Sequence, residues 1–183
     1  MKNLTAVIPV RQGSQRVKNK NFIEFSKPFV DGLKETFSVM VQTELRAHSP
    51  SIKGHNLTKG EFTSIIGMNG KVEKNGESKS FRGLIGLSMN MDVFLKVASN
   101  MLMEEYTEYC EDIADTAAEI VNIVMGNAKK ALSPSGYNIE MATPSTIRGL
   151  NVEIKYPKGT TTVETILDCD LGQMILEICY QEV

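Results

Sequence analysis

In residues 112–132, apolar and polar residues recur at a spacing that predicts a helix. Apolar residues recur every three or four positions, as on the buried face of a helix with about 3.6 residues per turn, and no proline interrupts them. The predicted core face consists of Ile113, Ala117, Ile120, Val121, Val124 and Ala128. We expect the rest of the domain to pack against this face.

The opposite face of this helix combines acidic residues, an amide and a glycine. Steps of four, three and four residues align them on the outward side. A glycine inside a helix, such as Gly126, lowers helix stability by about 1 kcal/mol relative to Ala. Because Gly126 and the neighbouring Ala118 have small side chains, another backbone could approach this face closely. The aligned set is Asp115, Glu119, Asn122 and Gly126. From periodicity alone, an ordinary solvated face is the simpler interpretation.

Two further helices and several strands are predicted around this one. Ser26-Lys27-Pro28 is typical of a helix start, and a buried stripe with a period of four residues follows in 27–38. A second amphipathic helix is predicted over 91–103, with Asn90 or Ser88 as its cap. The strand candidates are 40–47, 61–68, 80–89, 138–142, 150–155, 161–169 and 173–181.

The strand candidates favour an antiparallel arrangement. Asn75-Gly76 is a strong hairpin signal, because both central positions of a type I′ turn require a positive φ. It predicts that 61–68 pairs with 80–89, and the final two strand candidates form another hairpin. The expected fold class is therefore α/β (α+β): one domain with a largely antiparallel mixed sheet covered by helices.

Composition excludes several functional classes. The 183 residues, 42% of them hydrophobic, suffice for one sizeable core. A net charge of -2 gives no basic footprint for nucleic acid, and no apolar run is long enough to span a membrane. Three cysteines without a C-x-x-C pair predict reduced thiols in a cytoplasmic protein. His48 and His55 lack metal-site spacing, so we expect no metal and no cofactor in this chain.

The N-terminal segment has a character of its own. Residues 4–10 predict a short strand and 11–21 a polar, basic loop. Ile8 to Asn21 resembles the opening of the sugar-acid cytidylyltransferases, such as the CMP-sialic acid synthetase family, and the resemblance implies phosphate binding by Arg11, Ser14, Arg16 and Lys20. The match ends after about 22 residues, without the doubly wound domain such chemistry needs. We therefore expect 1–26 to be an extension and 27–183 to be the working domain.

Residues 27–183 resemble a second family. The string Asp115-x-x-x-Glu119-x-x-Asn122-x-x-x-Gly126 is similar to the signature helix of the CheC/CheX phosphatases, which dephosphorylate the chemotaxis response regulator CheY. The segments 81–89 and 141–149 match in order on either side of it. A single signature helix favours the CheX type.

The resemblance implies specific roles. Asn122 would orient a water toward the aspartyl phosphate, and Glu119 would pair with the regulator's lysine. Asp115, Ala118 and Gly126 would contact the phosphorylated CheY-type partner, which supplies its own Mg²⁺. Members of the family dimerise, and we expect a homodimer through the second face of the final hairpin. A catalytically silent binding module and a nucleotide-binding fragment are the alternatives.

Overall fold

The computed structural model describes residues 11–54, 58–74, 76–150, 152–154, 156 and 160–183, with the backbone alone for 11–21. Three α-helices occur in these ranges: α1 (Arg11–Thr36), α2 (Met91–Leu102) and α3 (Thr116–Leu132). The strands are β1 (Arg46–Ala47), β2 (Ser51–Ile52), β3 (Phe62–Lys74), β4 (Glu77–Met89), β5 (Tyr137–Met141), β6 (Ser145–Arg148), β7 (Thr161–Cys169) and β8 (Gly172–Glu182).

The eight described strands form one antiparallel sheet. Its order is β1-β7-β8-β4-β3-β5, with β2 also paired to β7 and β6 to β3. The helices contact one face of the sheet, with α1 against β7 and β8 and α3 against β3, β4 and β5. The predicted antiparallel α/β architecture with helices over the sheet is confirmed.

The hairpin between β3 and β4 has the register that the turn signal predicted. Lys74 pairs with Glu77, so two residues connect the strands. Gly76 has φ of 80°, a conformation that glycine adopts without a steric penalty. At the far end of the hairpin Phe62 pairs with Met89, and both side chains are buried on the helix side. Both strands extend further toward the turn than the sequence indicated.

Helix α1 is much longer than predicted, and the loop expected over 11–21 is wrong because this stretch is helical. Pro28 therefore lies inside the helix rather than in its first turn. The added turns carry Phe22 and Phe25 into the core, where the Phe25 ring lies 4.6 Å from the Tyr180 ring, centroid to centroid. The burial of these aromatic rings stabilises the part of α1 that lies on the N-terminal side of the proline. The expected strand at 4–10 lies outside the described residues, and the division at residue 27 stays a prediction.

Gly32 marks the contact between α1 and α3. A Cβ atom there would lie 3.4 Å from the Cβ of Asn127 and 3.4 Å from the carbonyl oxygen of Val124. The two helices therefore pack closely at this position, although Gly32 weakens α1 by its low helix propensity.

The strand prediction at 40–47 is largely wrong. Residues 37–41 form a π-helical turn and only Arg46–Ala47 is strand, because Phe37 and Val41 continue the buried helical stripe of α1. Of the strand predicted at 150–155, residues 150 and 152–154 form no continuous strand, and residues 151 and 155 lie outside the described part of the chain. Strand β6 lies earlier in the chain.

The second face of the final hairpin is not the open surface that the sequence suggested. Ile175, Glu177 and Cys179 of β8 are all buried. Lys53 pairs with Glu177 there, and Tyr156 donates a hydrogen bond to the same carboxylate. The homodimer stays a prediction, but this face no longer supports it.

Glu61 caps α2, whereas Asn90 occupies the cap position without a side-chain hydrogen bond. The Glu61 carboxylate accepts a hydrogen bond of 3.0 Å from the backbone N–H of Met91. A carboxylate at a helix N-terminus satisfies a free N–H and also interacts favourably with the helix dipole.

Replacing Glu61 with Ala is expected to lower the free energy of unfolding by about 1 kcal/mol, since the Met91 N–H loses its acceptor. Urea unfolding followed by circular dichroism measures the loss. Glu61→Gln keeps an acceptor oxygen and should lose less. Equal losses in the two variants would show that the cap is not the cause.

Candidate functional site

Helix α3 is held against the sheet by the predicted core face. Its six predicted core residues are all buried, although a short 3-10 turn, Glu111–Ile113, precedes the α-helix, which begins at Thr116. The helix follows β3 from end to end. The Tyr109 ring, just before α3, lies 6.0 Å from Phe62, and the carbonyl of Gly136, just after α3, accepts from the N–H of Glu73 at 3.0 Å.

The face of α3 turned away from the sheet forms what we call the outward ridge, consisting of Asp115, Ala118, Glu119, Asn122 and Gly126. Asp115 and Glu119 are exposed, and the other three are half-buried. A Cβ atom built on Gly126 would meet no heavy atom within 4 Å. The predicted alignment is therefore present, with open space above its glycine.

The two polar head groups of the ridge are unengaged. Within the described ranges, neither the Glu119 carboxylate nor the Asn122 carboxamide has a hydrogen-bond or ion-pair partner. Asp115 accepts from the N–H of Glu119 at 2.9 Å through its backbone carbonyl, while its side chain forms no capping bond. A carboxylate and a carboxamide one turn apart are thus free to bind groups of another molecule.

The four N-terminal candidates lie on helical backbone. Arg11, Ser14, Arg16 and Lys20 belong to α1 rather than to the loop on which the phosphate-binding interpretation depended. Their side chains are outside the described part of the structure, and their role stays a prediction.

Neither a metal cluster nor a membrane span is found in the described residues. No three His, Cys, Asp or Glu side chains in those ranges gather closely enough to hold a metal ion. None of the helices described has both the length and the apolar character needed to cross a membrane.

Sequence reasoning passed over one side chain near the ridge. The guanidinium of Arg148, on β6, lies 4.3 Å from the ring centroid of Tyr109. In the sequence, the only feature of segment 141–149 was its match to the CheC/CheX family. No local spacing relates Tyr109 to Arg148, so periodicity has no means of finding this contact.

The family model described as chemotaxis phosphatase CheX matches residues 62–168, which include α3 and the outward ridge. The chain belongs to the CheX family. The resemblance of residues 27–183 to the CheC/CheX family is thereby confirmed, whereas nothing supports the resemblance of the N-terminal segment to the cytidylyltransferases. No curated protein sequence matches the chain.

Solved structures agree with the CheX family assignment. CheX from Desulfovibrio desulfuricans has a TM-score of 0.76 and 26% identity, over 87% of this chain and 100% of that one. A chemotactic CheC-like protein from Shewanella oneidensis MR-1 has a TM-score of 0.72 and 30% identity, over 87% and 99%. The CheX-CheY-BeF3-Mg²⁺ complex from Borrelia burgdorferi has a TM-score of 0.70 and 24% identity, over 87% and 99%, a likeness of fold.

Proposed function

We propose that this protein stimulates hydrolysis of the aspartyl phosphate of a CheY-type response regulator in chemotaxis. The observation that carries the proposal is the pair of unengaged head groups, Glu119 and Asn122, on the outward side of α3. Family membership supports it, and so does the complex with CheY of the Borrelia burgdorferi protein of the same fold. Such a substrate would place the protein in the cytoplasm.

Asn122 acts by positioning. Its carboxamide donates and accepts hydrogen bonds without titrating, so it can hold a water in line with phosphorus. That water attacks phosphorus, the bond from phosphorus to the aspartyl oxygen breaks, and a free carboxylate and inorganic phosphate result. We assign Mg²⁺ to the regulator, where it would neutralise charge on the phosphoryl oxygens.

Glu119 acts as the anchor. Its carboxylate is exposed one turn before Asn122, and it would pair with the regulator's lysine. The pair fixes the register of α3 in the regulator's pocket. A rate gain of about 10- to 100-fold needs only about 1.4 to 2.8 kcal/mol, which ordering one water can supply.

Glu119→Ala is expected to weaken regulator binding about tenfold, a loss of about 1.4 kcal/mol, and to slow hydrolysis with it, because the lysine loses its partner. Calorimetry with the beryllofluoride-loaded regulator measures binding, and release of labelled phosphate measures the rate. Glu140→Ala is the matched control, since Glu140 is an exposed carboxylate of β5 whose buried neighbour Ile139 faces the helices. Wild-type affinity in Glu119→Ala would remove the anchor from the proposal.

The activity itself is tested with the full chain and a panel of CheY-type regulators labelled by acetyl phosphate in the presence of Mg²⁺. Faster loss of label with one regulator is expected. Binding without faster loss would instead favour the silent binding module. A parallel incubation with CTP and a sugar acid tests the nucleotide-binding alternative.

A further inference from the structure

Arg148 carries a positive charge that lies against an aromatic ring. Its side chain is exposed, and its guanidinium lies over the Tyr109 ring at 4.3 Å from the centroid. It forms an ion pair with no carboxylate among the residues that the structure describes. The Tyr109 ring is itself packed on the rings of Phe62 and Phe94, at 6.0 and 6.3 Å.

Register places Arg148 at the end of the sheet where α3 begins. Arg148 pairs with Phe62, whose side chain is buried on the helix side, so the Arg148 side chain leaves the sheet on that side too. The contact with Tyr109 agrees with this direction. Since α3 starts at the Phe62 end of β3, Arg148 is close to the first turns of α3.

The flanks of α3 show which part of the outward ridge Arg148 adjoins. One flank faces α1, through the contact of Asn127 with Gly32. Ala118 lies nine positions before Asn127 and therefore projects from the opposite flank, at about 100° per residue. Because α1 packs on β7 and β8 while β6 pairs with β3, that flank faces β6. Arg148 thus adjoins the side of the ridge that carries Ala118.

The position of Arg148 is fixed before any partner arrives. Its backbone pairs with β3, and the next residue, Gly149, donates a hydrogen bond of 2.8 Å to the carbonyl of Glu61. The Tyr109 ring, 4.3 Å from the guanidinium carbon, restrains the position of the guanidinium group. An arginine restrained in this way loses little entropy on binding, and a guanidinium favours the two oxygens of a carboxylate.

We propose that Arg148 is a docking residue that pairs with a surface carboxylate of the phosphorylated response regulator, beside the pocket that the outward ridge enters. This inference rests on the proposed function. The first turns of the ridge carry the negative charges of Asp115 and Glu119, and Arg148 adds a positive charge on the flank beside them, whereas the exposed Lys129 and Lys130 lie at the other end of α3. Charges of opposite sign on the ridge and its flank distinguish the correct orientation of the regulator from the reversed one.

The test compares steady-state hydrolysis of a labelled CheY-type regulator by the wild type, Arg148→Met and Arg82→Met. Methionine keeps an apolar stem against Tyr109 and removes the charge. We expect KM to rise about tenfold, with kcat unchanged and a weaker dependence of KM on salt. Arg82 is an exposed arginine of β4 whose flanking residue Phe81 faces the helices, so its side chain lies on the other face, and its variant should match the wild type.

The outcomes separate this inference from the proposed function. If Asn122→Ala is inactive but Arg148→Met has the wild-type KM and salt dependence, Arg148 does not dock and the proposed function stands. If Asn122→Ala keeps full activity, the proposed function fails. Thermal unfolding shows whether each variant is folded. Should Arg148→Met fail to fold, Arg148→Gln gives the decision: a raised KM with a weaker salt dependence supports docking through charge, and the wild-type KM and salt dependence overturn it.

Discussion

Asn122→Ala is expected to abolish the stimulated hydrolysis of the regulator's aspartyl phosphate while leaving binding intact. The carboxamide is half-buried on the outward side of α3 and forms no hydrogen bond to another described residue, so its removal breaks no hydrogen bond within that part of the chain. Only the positioning of water is lost. The rate should fall about 10- to 100-fold, back to the regulator's own autohydrolysis. Release of labelled phosphate at saturating regulator measures it.

Asn127→Ala is the matched control for this variant. Asn127 lies on the same helix and undergoes the same change of residue, so the effect on helix propensity is equal. Its Cβ, which faces Gly32 of α1, is retained in alanine, so the contact between the helices persists. Full activity is expected. An Asn122→Ala protein that removed phosphate at the normal rate would rule out the assigned role.

Helix α3 could be predicted from the sequence because the spacing of residues close together in the chain determines both of its faces. Ile120 and Val124 are buried and Glu119 is exposed, as the spacing indicates. The β3–β4 hairpin was equally local, since two residues at the turn set its register. Both features depend on residues close together in the chain.

The features that could not be predicted join distant residues. Glu61 caps α2 from 30 positions away, and the guanidinium of Arg148 meets Tyr109 only after β6 has paired with β3. Residues 11–21 were predicted as loop because their composition is polar, whereas the helix is continuous with an aromatic cluster that involves Tyr180. Tertiary packing overrides local preference in each case.

The pair of Lys53 and Glu177 is the clearest example of a long-range feature, since its members are 124 positions apart. Both side chains are 1% exposed, and the Lys53 ammonium donates to the carboxylate at 2.5 Å. Tyr156 donates to the other carboxylate oxygen at 2.7 Å. Burial, together with this hydrogen bond, raises the pKa of Tyr156, which keeps its hydroxyl protonated as a donor.

Glu177→Gln is expected to lower the free energy of unfolding by about 3 to 5 kcal/mol, because it leaves the Lys53 ammonium buried without a counter-charge. Lys53→Met should lower the free energy of unfolding by a similar amount, because the Glu177 carboxylate then stays buried without a counter-charge. The double variant buries no charge, and its glutamine still offers an oxygen to Tyr156. We therefore expect it to be more stable than either single variant. Urea unfolding of the four proteins gives the coupling free energy.

Lys27 and Asp31 of α1 provide the control for the buried pair. Their side chains are 74% and 53% exposed, so water already solvates both charges. Lys27→Met should change the free energy of unfolding by no more than about 1 kcal/mol. If Glu177→Gln were as mild as Lys27→Met, the Lys53 ammonium must reach solvent or another acceptor in solution. The Lys53 and Tyr156 side chains would then cover Glu177 less tightly than the structure shows, and this face would again be available to a second copy of the chain.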